Sequence, residues 1–175
     1  ITVGPVVRAW GFGTQPMAKH GKEYIDSLLQ YVGMEKVKLE GRKIIKKMPG
    51  VSLDVNAVAQ GYSVDVLAKF FDEKGIKNYL VEIGGEVRGQ GTNAKNSLWR
   101  VGIDRPSDDN IIPGGQLQAI IEINNKSLTT AGNYRKFFVE NGVKYGHTID
   151  PKTGYPAKNT LLSATVVADD AVTAD

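Results

Sequence analysis

Gly84 and Gly85 stand between two short runs of strand character, residues 79–83 and 86–89. A connection that short closes only an antiparallel pair, because a parallel crossover needs about a dozen residues or more. Glycine also supplies the positive φ that tight hairpin turns demand. Two further runs follow at 99–103 and 116–123, with residues 91–97 as a turn before them. In the second, Leu117, Ala119, Ile121 and Ile123 alternate with polar neighbours. Short strands are also expected at 37–39, 44–48, 53–55 and 144–149, and a buried one at 163–167.

Helical spacing is confined to a few segments. Pro5 with Val6, Val7 and Trp10 reads as a short helix with proline in its first turn, ended by Gly11, Phe12 and Gly13. Ile25, Leu28, Leu29 and Val32 repeat at helical intervals. Ala57, Gly61, Val64, Leu67, Ala68 and Phe71 mark a longer helix that Asp54 or Asn56 can cap and Gly75 ends. A short helix is expected at 133–139. These elements imply one α+β unit, a mostly antiparallel sheet with helices packed on it. The 175 residues suit a single domain, 1–175.

The densest basic run holds Lys36, Lys38, Arg42, Lys43, Lys46 and Lys47, interleaved with Val37, Leu39, Ile44 and Ile45. That pattern reads as two half-buried strands with a solvated face, not as a nucleic-acid groove. A net charge of +3 gives no argument for nucleic acid or a membrane surface. Cysteine is absent, which excludes disulfides, thiolate metal sites and cysteine nucleophiles. Residues 1–4 read as mid-domain sequence, and residues 172–175 as a helix cut short. The chain is therefore expected to be an internal piece of a longer protein, truncated at both ends.

Three polar clusters fall at element ends. Asp54, Asn56 and Gln60 surround the start of the long helix, where backbone N–H groups either favour an anion such as a diphosphate or are simply capped. In residues 127–134, paired threonines, Ala131 and Gly132 either let a ligand approach closely or form a strand-to-helix loop capped by Thr130. His147 stands beside the tight turn Asp150, Pro151, Lys152, Thr153 and Gly154. Its imidazole can serve as a base or phosphate partner, or be held structurally by hydrogen bonds. Glu82 and Glu86 flank the glycine pair but read as hairpin residues rather than a sugar-hydrolysing couple.

Taken in order, several stretches resemble the FAD:protein FMN transferases, the ApbE family of bacterial flavin transferases. They are ITVGPVVRAWGFG at 1–13, LDVNAVAQGYSVD at 53–65, YLVEIGGEVRGQG at 79–91, SLTTAGNY at 127–134, HTIDPKTGYP at 147–156 and SATVVADDAVTAD at 163–175. They keep the family's order and approximate spacing over nearly the whole chain. The resemblance implies an ApbE-like flavin transferase fold and a magnesium-dependent enzyme. That enzyme moves the FMN half of FAD to a threonine hydroxyl of an acceptor redox protein and releases AMP.

Residue by residue, the resemblance puts Asp175 at a metal-ligating aspartate and the main-chain carbonyl of Ala57 at a second ligand. A third ligand, a threonine, is implied four residues beyond Asp175. Asp54, Gln60 and Thr130 fall at positions near FAD, and His147 at the catalytic base or phosphate orienter, also against the cofactor. Two departures stand out. Gln60 replaces a frequent lysine, removing a positive charge from the phosphate neighbourhood, and Ala131 and Asn133 replace frequent Ser and Asp. The resemblance further implies sequence before Ile1, including part of the flavin site. It implies a periplasmic or cell-envelope location through a lipid anchor in the full-length protein. Two other readings share the same site: a magnesium-dependent FAD pyrophosphatase giving FMN and AMP, and a non-catalytic flavin-binding protein.

Overall fold

The computed structural model describes residues 1–12, 21–107, 109–110, 112–133, 137–140, 143–157 and 160–175. Gly13 and residues 134–136, on which parts of two expected helices fall, lie outside the described residues. In chain order the first elements are α1 (Gly4–Ala9), α2 (Lys22–Leu29), β1 (Val37–Glu40) and β2 (Lys43–Lys46). Then come α3 (Ala59–Glu73), β3 (Tyr79–Ile83), β4 (Glu86–Gln90), β5 (Trp99–Asp104) and β6 (Leu117–Ile123). The last are β7 (Lys126–Gly132), β8 (Phe137–Glu140), β9 (Val143–Gly146), β10 (Ser163–Ala168) and α4 (Ala171–Ala174). They form two compact units, residues 1–55 with 136–160 and residues 56–135 with 161–175.

In the first unit, α1 carries Pro5 in its first turn and stops before Gly11, which turns to φ 72°. Gly11 N–H then donates to Arg8 and Phe12 N–H to Val7, the paired bonds of a glycine-terminated helix. Val6, Val32 and Ile149 are buried together, with Val7, Trp10, Leu28 and Leu29 packed around them. Each such aliphatic side chain stabilises the unit by about 1.5–3 kcal/mol. The β1–β2 hairpin departs from expectation. Its strands are not half-buried: Leu39 is 71% exposed, and Ile44 and Ile45 are exposed as well.

The second unit is built on an antiparallel sheet of order β10-β7-β4-β3. The Gly84–Gly85 turn, at φ 66° and 110°, pairs Ile83 with Glu86, as its length requires. Helix α3 presents Val64 and Ala68 to Tyr79 and Val81 of the sheet, and Ala171 completes this core. Gly75 at φ 75° ends α3, its N–H bonded to Asp72 and that of Ile76 to Phe71. The β5–β6 ribbon meets β4 at Gly89, where a Cβ would lie 2.9 Å from Ile123 Cδ1.

Four expectations fail because of contacts made elsewhere in the chain. Residues 53–55 are not a strand, because the Asp54 N–H bonds the Ile1 carbonyl rather than a ladder. The supposed loop at 127–134 is mostly β7, which pairs with β4 on one side and β10 on the other. Phe137 and its successors form β8, in a hairpin with β9, rather than a helix. Strand β10 lies at the sheet's end, so Val166 and Val167 are exposed rather than buried.

Candidate functional site

Helix α3 begins without a capping side chain of its own. Its N-cap residue is Val58, and neither Asp54 nor Asn56 occupies that position. The amide of Gly61, third in the helix, instead donates to Asp175 Oδ2 at 2.9 Å, from a residue 114 positions away. A carboxylate there completes an orphan amide and meets the positive end of the helix dipole. Glycine is required at this place. A Cβ on Gly61 would sit 2.3 Å from the Ala171 carbonyl oxygen and 2.8 Å from Asp175 Cβ.

The debt is mutual. Asp65, one turn further along α3, accepts the Ala171 N–H at 3.0 Å on Oδ1 and the Val172 N–H at 2.9 Å on Oδ2. Arg88 of β4 donates to the same Oδ1 at 2.6 Å. Burial disfavours the Arg88 charge, but the hydrogen bond and charge of Asp65 outweigh it and raise the pKa further. Asp170 caps α4 locally, accepting the Thr173 N–H at 2.8 Å. The head amides of α4 are thus satisfied at three successive residues, and its end delivers Asp175 back to α3.

Ala57 precedes α3 by two residues, in a turn. The Gly61 amide is the donor that a longer helix would give to the Ala57 carbonyl. Its commitment to Asp175 leaves that carbonyl outside the helical ladder. A carboxylate and a main-chain carbonyl are both hard oxygen donors, the kind magnesium takes. Among the described residues, no group of three or more His, Cys, Asp and Glu side chains gathers that could hold a metal ion.

Gln60 packs its amide over the Gly84 turn, with Nε2 1.7 Å from where a Cβ would be. Glu86, a hairpin residue as its sequence position implied, is buried with Oε2 3.4 Å from that same point. Thr130 lies within β7 opposite Thr165, their hydroxyl oxygens 2.8 Å apart. Gln60, Ala57, Thr130 and Asp175 all belong to the second unit. Asp54 and His147 belong to the first.

In that unit the turn after His147 closes on itself. Asp150 Oδ1 accepts the Lys152 N–H at 2.9 Å, the Gly154 N–H reaches the Asp150 carbonyl at 2.8 Å, and Ile149 bridges Pro156. Trp10 Nε1 donates to the Gly154 carbonyl at 2.7 Å. The half-buried His147 ring stands edgewise to Phe12, with centroids 6.3 Å apart.

The sequence pattern of the ApbE family matches this chain from residue 1 to residue 175. The chain belongs to the ApbE family. The FAD:protein FMN transferase of Vibrio cholerae is 39% identical over 177 residues, covering all of this chain and 52% of that protein. That of Escherichia coli K12 is 35% identical over 181 residues, covering all of this chain and 50% of that protein. The solved structure of the flavin transferase ApbE from Vibrio cholerae superposes with a TM-score of 0.87 at 38% identity, over 99% of this chain and 54% of that one. The chain spans about half the length of the relatives it matches. The ApbE fold agrees with the antiparallel strands and packed helices expected from the sequence.

Two residues of the corner escape a reading of motifs, Asp65 and Arg88. Asp65 carried a signal nonetheless. It stands one turn from Gly61 and beside Val64 on the apolar face of α3, where an unpaired acid is costly. Nothing local in sequence identifies its partners.

Proposed function

We propose that the protein containing this chain transfers FMN from FAD to a threonine hydroxyl of an acceptor redox protein. The observation that carries the reading is the Asp175 carboxylate at the Gly61 amide, four residues after Ala57, in a chain of the ApbE family. In this reading the hydroxyl oxygen forms a bond to the phosphorus of the FMN half. The bond from that phosphorus to the oxygen leading to AMP breaks, and the hydroxyl proton passes to a base. Asp175 and the Ala57 carbonyl would hold a magnesium ion in part. Such an ion neutralises diphosphate charge and stabilises a departing phosphate oxygen.

The family resemblance supports assigning Asp54, Gln60 and Thr130 to FAD contacts. His147 is assigned as base or phosphate orienter, its ring braced by Phe12. Gln60, lacking a lysine's charge, gives the diphosphate a hydrogen-bond partner only. The family resemblance also supports a cell-envelope location, which fractionation of the intact protein tests; recovery in the cytoplasm would overturn it.

The deciding experiment mixes the full-length protein with FAD, magnesium and an acceptor domain carrying the target threonine. Fluorescent flavin should travel with the acceptor through a denaturing gel and vanish when that threonine is replaced by alanine. AMP release with no acceptor present, and no labelled acceptor, would make water the nucleophile instead. Retained flavin with no AMP under any condition would leave a binding protein.

A further inference from the structure

We propose that Asp65, held by Arg88, is a positioning residue that sets Asp175 at the cation. The inference rests on reading Asp175 as a cation ligand, and goes beyond it. Asp65 and Gly61 lie four residues apart, on one face of α3. The head of α4 meets Asp65 and the residue after its tail meets Gly61. Four helical residues rise about 6 Å, close to one turn of α3 at about 5.4 Å. The small helix is therefore a strut whose two ends are fixed to successive turns of the large one.

So short a helix does not hold itself, since helix nucleation is unfavourable and is offset only by many propagated bonds. Its place is set by what binds its ends. Asp170 belongs to the same segment and travels with it, so it orders α4 without locating it. Asp65 locates it. Both carboxylate oxygens are committed, and the side chain is only 18% exposed beside a 22% exposed Arg88. Arg88 ties the pair to β4, in the sheet. Displacing the head of α4 would move Asp175, which follows it by one turn, off the Gly61 amide. The role is that of an outer residue orienting a ligand, and such residues commonly tune metal affinity.

The test uses the full-length protein with Asp65→Asn, which keeps one acceptor oxygen but loses the charge and the second acceptor. Arg88→Gln is the second variant; it leaves both α4 amides their acceptors and loosens only the tie to the sheet. Two readouts are taken: Mn2+ binding followed by electron paramagnetic resonance, and hydrogen exchange without metal or FAD. Asp65→Asn should weaken Mn2+ by about tenfold or more, with Arg88→Gln between it and wild type. Exchange should rise at the Gly61 amide and at residues 171–175, while β3 and β4 keep their protection. A merely structural role would raise exchange throughout the unit. Mn2+ affinity within twofold of wild type, with Gly61 still protected, overturns the proposal. Should Asp65→Asn fail to fold, Arg88→Gln decides by the same two criteria. Should wild type bind no Mn2+, the cation reading itself falls. Exchange then decides the strut alone: Gly61 protected in the variant refutes it, Gly61 exposed supports it.

Discussion

The turn after His147 and the α3–α4 corner are both carboxylate–amide constructions, and they differ in where the amides come from. Asp150 takes the amide of Lys152, two residues on, and its own carbonyl takes that of Gly154. Asp65 takes amides 106 and 107 residues away, and Asp175 one that is 114 residues away. The first arrangement forms wherever its few residues adopt the turn. The second exists only when the surrounding unit is assembled, so its carboxylates report on tertiary structure. A site built that way is held by the fold and is vulnerable to it.

The sharpest way to break the comparison is Gly61→Ala. Alanine is the better helix former by about 1 kcal/mol, so on propensity alone the variant gains stability. The steric argument gives the opposite sign. The new Cβ meets the backbone of Ala171 at 2.3 Å, and backbone cannot swing aside as a flexible side chain does. A net loss of about 1–3 kcal/mol is expected in a denaturant titration, together with loss of flavin transfer in the full-length protein. A rise in stability would show that α4 is not seated against α3 as described.

The matching change in the local turn is Gly154→Ala, with a smaller expected effect. Gly154 sits at φ 73°, and its Cβ would lie 2.8 Å from Ile25 Cγ2. The left-handed backbone costs an alanine about 1–2 kcal/mol, and the buried Ile25 side chain must give way, though no backbone stands as close as at Gly61. The urea midpoint should fall, by less than for Gly61→Ala. An equal or larger fall would mean that the turn bears on its unit more heavily than its local bonds indicate.

The same contrast explains what the sequence revealed. Features with local causes were legible: the Gly84–Gly85 hairpin, the Pro5 helix and its Gly11 stop, the α3 stop at Gly75. Asp175 and Ala57 were named together only through the resemblance, since no spacing rule joins residues so far apart. Gly61 read only as one position of the long helix, and its neighbour proved to be α4. Thr130 was expected in a loop and lies in a strand, because threonine pairs suit both. The pairing of β7 with two neighbours, which is tertiary, decided between them. Leu39, Ile44 and Ile45 are interleaved with basic residues as in half-buried strands yet stand exposed, because burial depends on what covers a hairpin and not on its pattern.

The smallest effect concerns Asp170, whose cap on α4 is local although the strut it belongs to is not. Its hydrogen bond from Thr173 holds the carboxyl below its ordinary value of 3.8. The folded form therefore releases this proton more readily than the unfolded chain does. The ionised carboxylate stabilises α4 above the ordinary value, and that stabilisation is lost as pH falls through the depressed one. Asp170→Asn keeps an oxygen able to accept from Thr173 but has no charge to titrate. Near neutral pH the wild type should be slightly the more stable in urea titrations. The gap should close as pH falls below 3.8. A gap that persists unchanged into acid would show that the cap acts through its geometry alone and that the charge contributes nothing at this helix end.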